Sequence, residues 1–588
     1  MRRLFPLTVG LLLLLLGMSA PVVAQDAEET REAERDTTIL PSIAPQEVEL
    51  RGQLETRFPQ LERQPLVGFN PPPRVPIISG DRTPLIGEYR QDTADLPGSP
   101  LRQPDIATRS FDTGEPLTGS IEALSGRFFD RQSRVRVHGA VSDELRLTAA
   151  LNYRGSEGHT PEGALTDATS ASDDLNANAG LQWQRSAVRA DVEAGGLYQQ
   201  YNLFGATQEG MSQVPTRSAR GFNLRGGIDV DRPDRVSIDS ELGVSLTTVE
   251  SDRIALEPEQ ASRAATSASE SRIEGEALAR IPISQFSVQL QGLFDGSNLD
   301  LDGFGTSNGW LYRFAGGGSL AWHPLRDLEV RAGAKVFGYS DDVFVSGDGR
   351  EEIFVAPDVS LDWYPGQGVH VYAYNEPGTD RHDLRSTFSA SPFLENAPTL
   401  RPTVRLWDAE GGVRAFFGPV QLGAHAGYEQ NPTRRFFATR TTEGSVQMQQ
   451  LHGEARVLSV GASASFTLPI GTQTSLRYVY QDAELTELNS RIPYVATHVA
   501  TLAVTQPFAE RRGRVTIEGT MEEDRIARVG SSETLDTYLS LNARASYDVN
   551  EVFSIVGRVD NIIGSTLERW EAHPEAPQTV SLGLRLRW

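Results

Sequence analysis

From about Gly119 onward, apolar and polar residues alternate along the chain. Leu328, Val330, Ala332, Ala334 and Val336 alternate with Glu329, Arg331, Gly333 and Lys335. Leu145, Leu147, Ala149, Leu151 and Tyr153 alternate with Arg146, Thr148, Ala150 and Asn152. Val236, Ile238, Leu242, Val244 and Leu246 share a face opposite Ser237, Asp239, Glu241 and Ser245. Val188, Ala190, Val192 and Ala194 oppose Arg189, Asp191 and Glu193, and Val515 and Ile517 oppose Thr516 and Glu518. A period of two is the mark of a strand, whose successive side chains leave on opposite faces. Two architectures suit this pattern: a soluble sandwich, or a membrane barrel whose apolar face is hidden in every second residue.

The spacing of the connections favours the barrel. Short turns fall at Ser142-Asp143, Arg185-Ser186, Asp231 to Asp234, Pro324 to Asp327, Pro365 to Gly368, Gly418-Pro419 and Asp548 to Glu551. Long loops fall near 154–173, 200–217, 249–270, 295–308, 377–399 and 563–577. Short turns at one end and long loops at the other are how outer-membrane barrels are built. Aromatics such as Trp183, Trp310, Trp322, Trp363 and Tyr478 stand near strand ends, where rings gather at membrane interfaces. Walking the turns back from Trp588 gives about 22 strands, the first near 119–129 and the last at 578–588. The expected fold is all-β: a large antiparallel transmembrane β-barrel with an irregular, proline-rich N-terminal segment.

The front of the chain has a different texture. Arg2 and Arg3, the run Leu11 to Leu16 and the small residues ending at Ala24 form a secretory signal over 1–24. After it no stretch reaches the roughly 20 apolar residues a membrane helix needs. Residues 25–117 open on an acidic run, Asp26 to Asp36, and then carry recurrent proline, including Pro71-Pro72-Pro73. Such proline density excludes long helices and central strands. This segment is expected to be periplasmic or lumenal, with the barrel over 118–588.

Composition narrows the chemistry. A net charge of -23 argues against a nucleic-acid partner, and the lack of cysteine excludes disulfides and thiolate metal sites. The nine histidines are scattered without metal-ligand spacing, and no Gly-x-Ser-x-Gly elbow or phosphate-binding loop is present. No catalytic residue and no bound cofactor is expected, and the chain is not read as an enzyme. Asp295, Asn298, Asp300 and Asp302 concentrate oxygen ligands in an expected loop, a weak calcium candidate beside the simpler reading of a solvated acidic loop. Asp341, Asp342 and Asp348 invite the same pair of readings. Arg434-Arg435-Phe436-Phe437 is read as rim anchoring, with contact to ligand or lipopolysaccharide as the alternative. The polar face of the strands supplies the lumen-lining candidates: Arg146, Arg189, Asp191, Glu193, Asp239, Glu241, Glu329, Arg331, Lys335, Glu518, Arg585 and Arg587.

The last strand is the sharpest signal. Val580, Leu582, Leu584, Leu586 and Trp588 alternate with Ser581, Gly583, Arg585 and Arg587. An apolar face closed by a terminal aromatic resembles the signal by which outer-membrane barrels are recognised for insertion. Asp560-Asn561-Ile562-Ile563-Gly564, then Trp570, Pro574 and Pro577 before that strand, resemble the closing pattern of TonB-dependent receptors. Pro577-Gln578 stands where that family often carries Gly-Arg, and the specific pattern covers only the last thirty residues or so. The resemblance implies a barrel taking part in solute passage across the outer membrane of a Gram-negative-type bacterium. Its implied surroundings are outer-membrane lipid, lipopolysaccharide and the barrel-assembly machinery. The front departs from the family: about 90 proline-rich residues stand where a globular plug of well over a hundred belongs. The alternative is therefore a plugless, non-transporting barrel that anchors a periplasmic or surface assembly through residues 25–117.

Overall fold

The computed structural model describes residues 117–160, 169–203, 216–232, 235–252, 266–302, 307–341, 350–366, 368–394, 399–442, 445–564 and 567–588. The expected signal segment, residues 25–116, and the candidates Asp342 and Asp348 lie outside the described residues. Twenty-two antiparallel strands close into one barrel. In chain order they are β1 (Thr118–Gly126), β2 (Arg131–Ala140), β3 (Leu145–Ser156), β4 (Ser172–Arg185), β5 (Val188–Asn202) and β6 (Thr216–Val230). Next come β7 (Ser237–Ser251), β8 (Thr266–Ile283), β9 (Phe286–Asp302), β10 (Ser307–Leu325), β11 (Leu328–Asp341), β12 (Arg350–Gly366) and β13 (Val369–Asn375). The wall continues through β14 (Trp407–Phe417), β15 (Val420–Thr442), β16 (Ser445–Thr467), β17 (Gln473–Leu485), β18 (His498–Phe508) and β19 (Gly513–Glu523). It is completed by β20 (Tyr538–Asp548), β21 (Phe553–Asp560) and β22 (Thr579–Arg587). Each strand pairs with its sequence neighbour, and β22 pairs with β1 to close the wall.

The seam between β1 and β22 is tight. A Cβ on Gly583 would stand 1.9 Å from the Ala123 carbonyl oxygen and 2.6 Å from Leu124 Cα, both main-chain atoms that cannot yield. Glycine is what lets these two strands approach. At the short-turn end, two-residue hairpins need positive φ, supplied by Ser186 (φ 53) and Gly418 (φ 58) among others.

The exterior carries the apolar half of the alternation. Leu242, Leu246, Val336, Leu582 and Leu584 are among many large aliphatic side chains left exposed, Leu582 at 65%. An apolar surface on this scale is not tolerated in water. Aromatics bound the belt: on β10, Tyr312 and Trp322 are both exposed and ten residues apart. At about 3.3 Å per residue and a tilt near 40°, that spacing is about 25 Å, the height of a barrel's apolar band.

Beyond the belt, on the long-loop side, the alternation inverts. On β9, Phe294 faces out and Asp295 faces in; higher up, Leu299 and Leu301 are buried inside while Asp300 and Asp302 are exposed. On β11, the inner face passes from Glu329, Arg331 and Lys335 to the fully buried Phe337 and Tyr339. This corrects the expected loops at 295–308 and 249–270. Strand continues to Ser251 and to Asp302, and β8 begins at Thr266, before the end expected for the second loop. Above the bilayer the outer face meets water and turns polar, so the sequence there resembles a loop.

Candidate functional site

The lower interior is a charged lumen. On β5 to β8 the inner face carries Asp191, Glu193, Asp229, Asp239, Glu241, Glu274 and Glu276 against Arg189, Arg225 and Arg280. On β20 to β22 and β1 to β3 it carries Arg134, Arg136, Arg146, Arg154, Arg544, Arg558, Arg585 and Arg587 against Glu122, Asp548 and Asp560. One arc of the wall is therefore acidic and the next basic. Interstrand pairs knit each arc: Arg225 with Glu241 (2.5 Å) and Glu274 (3.3 Å), and Arg587 with Asp548 (2.8 Å).

The lumen-lining candidates fall on this face. Lys335 lies between Asp358 (3.5 Å) and Glu376 (3.6 Å), Arg331 is 3.8 Å from Asp358, and Glu329 meets His323 at 3.2 Å. Glu193 accepts from Asn178 at 3.5 Å. Glu518 sits on β19 opposite Asn542, and Arg189 opposite Asp229. The residues of the expected insertion signal, Val580, Leu582, Leu584, Leu586 and Trp588, are all exposed on the outer face.

The residue at the centre of the basic arc was missed. Glu122, 4% exposed, accepts from Arg544 (2.5 and 2.6 Å) and Arg585 (2.8 Å to Nε), with Arg134 at 3.5 Å. Arg544 reaches it across β21 and β22, which is possible only over the concave side of the wall. A lone glutamate in Ser120-Ile121-Glu122-Ala123-Leu124 gives no hint of partners more than 400 residues away.

The upper interior is closed by the inward-folded residues 376–394 and 399–406 of the loop that joins β13 to β14. It contains the helix α1 (Leu384–Ala390), capped by Asp383 and Ser386 in a reciprocal capping box. Its apolar face, Leu384 and Phe388 with Leu394 and Leu400, packs on Ala219, Val249, Ala268, Leu299, Leu301 and Leu311 of the wall. This is the cluster that the inverted alternation creates. Polar ties fix it: Arg217 donates to the Pro392 carbonyl (2.5 Å), the Leu394 carbonyl (2.7 Å) and Ser251 Oγ (2.7 Å), with its guanidinium 4.5 Å from the Phe388 ring. Glu270 accepts from the Leu384 N–H (2.8 Å), and Arg381 meets Glu274 (2.9 Å). His382 bonds Thr403 Oγ1 at 2.9 Å, and burial, with Arg435 and His452 nearby, holds its pKa well below the ordinary histidine value.

A second cap is built by residues 486–497, 524–537, 561–564 and 567–578. Trp570 lies 4.6 Å from Tyr494 and 6.0 Å from Phe437, centroid to centroid, and the buried Arg525 donates to the carbonyls of Arg569 (3.2 Å) and Glu568 (3.1 Å). The two caps meet where Phe393 and His573 bring their rings to 3.9 Å. Burial pushes His573 down to about 4 and raises Glu575 above the usual carboxylate range.

Two expectations are corrected here. The side chains of Arg434-Arg435-Phe436-Phe437 are engaged within the protein and do not form a rim anchor. Arg435 donates to Thr387 of α1 (2.9 Å), Arg434 meets Glu429 (3.3 Å), Phe436 is buried with Leu485 and Ile492, and Phe437 packs on Trp570. The calcium candidates do not converge: Asp295 faces inward, paired with Arg272 (2.6 Å) and Arg313 (3.1 Å), while Asp300 and Asp302 are exposed on the opposite face with Asn298. Asp341 pairs with Arg401 at 3.6 Å. Among the described residues, no group of three or more His, Asp or Glu is placed to hold a metal ion.

Comparison with known proteins locates the fold. No protein-family model matches the chain, and no curated protein sequence does. Among solved structures it is similar to the copper transporter OprC, with a TM-score of 0.63 at 13% identity over 81% of each chain. It is similar to the FrpB iron transporter from Neisseria meningitidis, with a TM-score of 0.62 at 9% identity over 81% of this chain and 82% of that one. The siderophore receptor PiuA from Acinetobacter baumannii gives 0.60 at 10% identity over 81% and 82%. The fold is that of the TonB-dependent outer-membrane receptor barrel.

Proposed function

We propose that the protein is an outer-membrane barrel that takes part in the passage of a polar solute, with the loop 376–406 as the gate on its outer side. The carrying observation is the combination of a charged interior enclosed by 22 strands and a mouth closed by polar ties as well as packing. In barrels of this kind the short turns face the periplasm and the long loops the exterior, so the caps stand outside. Uptake by the structural neighbours named above as transporters or receptors supports the same reading. No catalytic role is part of it. The exposed row Val580 to Trp588 is proposed as the surface read by the assembly machinery, and outer-membrane lipid and lipopolysaccharide as the surroundings of the belt and upper wall.

Planar-bilayer conductance of the purified protein tests the proposal, measured intact, without residues 25–117, and without residues 382–400. Conductance that is small in the intact protein and rises in a deleted form is expected. No conductance in any form would overturn it in favour of the second reading, a non-transporting barrel that anchors an assembly. The apolar packing of the upper interior is the observation that favours that alternative.

A further inference from the structure

The inner wall on β13 to β16 carries a buried carboxylate that has no ion pair among the described residues. Val413, Leu422, Tyr428 and Val460 face out on these strands, so the alternate positions face in. The register sets Glu410 of β14 opposite Tyr374 of β13 and Gly427 of β15. One pair lower, His425 of β15 stands opposite Gly412 and Gly461. Glu410 is 4% exposed and His425 7%. Glu410 Oε1 accepts from the Tyr372 hydroxyl at 2.8 Å. Glu410 Oε2, Tyr374 Oη and His425 Nε2 are buried and make no hydrogen bond. The charge of Glu410 acts on both Tyr374 and His425. Glycine holds the inward positions between these groups. A Cβ on Gly412 would stand 2.6 Å from the Tyr372 hydroxyl, and one on Gly461 2.3 Å from the His425 ring, so both rings lie across bare backbone.

Among the described residues, every other acid of comparable burial is answered. Most meet an arginine or lysine, as Glu122, Asp358 and Glu429 do. Glu270 takes hydrogen bonds on both oxygens instead, from Ser297 and from the Leu384 N–H. Glu410 has neither. Arg414, on the same strand, is turned onto the Tyr372 ring, 4.7 Å from its centroid. A buried carboxylate calls for a cation and for donors to its oxygens. A primary ammonium supplies both, since it is charged and carries three N–H donors. Glu410 Oε2, the Tyr374 hydroxyl oxygen and His425 Nε2, with the imidazole proton on Nδ1, are three acceptors for it. Tyr374 and Glu410 arise about 5 Å apart, and His425 about 7 Å from Glu410 on the diagonal, within reach of one shared nitrogen. A neutral polyol would satisfy the oxygens and leave the charge unanswered. We infer that this arc binds the ammonium group of a small organic amine between Glu410, Tyr374 and His425. The site faces the lumen, so the ligand is a free solute and not the ammonium of a lipid headgroup. As an identification of the solute's class, the inference rests on the proposed passage; as a binding site it stands apart from it.

Isothermal titration of the full-length protein in detergent, at neutral pH and constant sodium chloride, tests the site with n-butylammonium, tetramethylammonium and glucose in turn. Saturable binding of n-butylammonium is expected, weakened about tenfold or more by Glu410→Gln. Tetramethylammonium, which has the charge but no N–H, is expected to bind at least severalfold more weakly. Asp231→Asn, in the β6–β7 turn, removes an exposed acid and is expected to bind as the parent does. Heat-modifiable migration on a gel reports whether each variant is folded. If Glu410→Gln does not fold, Tyr374→Phe keeps the ring, removes one acceptor and is expected to weaken binding severalfold. Absence of n-butylammonium binding by the parent, equal binding of tetramethylammonium, or binding untouched by the Glu410 and Tyr374 variants overturns the inference. Saturable binding of glucose in place of the amine overturns it too, in favour of a neutral solute. Amine binding without conductance in any form removes the passage and leaves the site; conductance without amine binding does the reverse.

Discussion

Single residues hold this wall together by reaching over their neighbours. Glu122 is buried and receives guanidinium groups from strands β2, β20 and β22. Its loss leaves three half-buried cations sharing no anion. Glu122→Gln is expected to lower stability by about 3 kcal/mol, the low end of the cost of breaking a buried pair, because lumen water screens part of the repulsion. Urea unfolding in liposomes, followed by tryptophan fluorescence, measures it. The histidines of the caps make a second prediction. Burial lowers His573 to about 4, and it lowers His382 as well. The unfolded chain then binds more protons than the folded one as pH falls below about 6.5. The stability that neutral His573 confers is complete above about 6.5 and is lost as pH falls toward 4, and that from His382 likewise declines as pH falls below about 6.5. Glu575, raised by burial, works in the opposite direction, its carboxyl fitting the fold better as pH falls. Hydrogen-exchange protection factors in 561–578 and 376–406, taken relative to the intrinsic exchange rate at each pH, are expected to fall severalfold between pH 7 and pH 4, and His573→Gln to flatten that response in the first segment.

At the scale of elements, the loop 376–406 behaves as a strut that the wall was shaped to receive. Arg217, at the upper end of β6, makes three hydrogen bonds, two of them to carbonyls of this loop, and packs on Phe388. Arg217→Ala removes these together. The barrel remains, since β6 still pairs with β5 and β7 along its length. The expected result is a larger single-channel conductance and faster proteolysis within 376–406, with unchanged heat-modifiable migration. A parent-like conductance and cleavage rate would mean that Arg217 does not hold the loop. The sequence showed where this loop lies, because proline and polar residues interrupt the alternation there. It did not show that the loop turns inward, since Leu384, Phe388 and Leu394 find their partners on strands β6 to β10, far back along the chain. Reading one fixed phase of alternation also hid the upper strands. Asp300 and Asp302 look like a loop only when the outer face is assumed to be apolar along its whole length.

For the whole molecule, the alternation in the belt was enough. Strands such as β7, β11 and β22 follow the expected phase, and the turns marked the wall closely enough to give 22 strands. What stayed illegible was everything that depends on closure: the acidic and basic arcs, the caps, and the partners of Glu122. Leu582, among the most exposed aliphatics of the belt, tests the membrane reading. Leu582→Arg is expected to cost about 2–4 kcal/mol if it lies near the midplane. A reduced yield of the folded form in liposomes measures this, and a yield equal to the parent's would count against a lipid-facing surface.

The joint between β1 and β22 has one more consequence. Ser125 pairs with Leu582, and Glu122 meets an arginine 463 positions further along the chain. Until those distant stretches meet, both strands present bare, unpaired rims to whatever surrounds them. The cylinder therefore cannot be sealed piecemeal: the ring is locked by its two most remote staves, and a chain halted anywhere between them is left an open sheet.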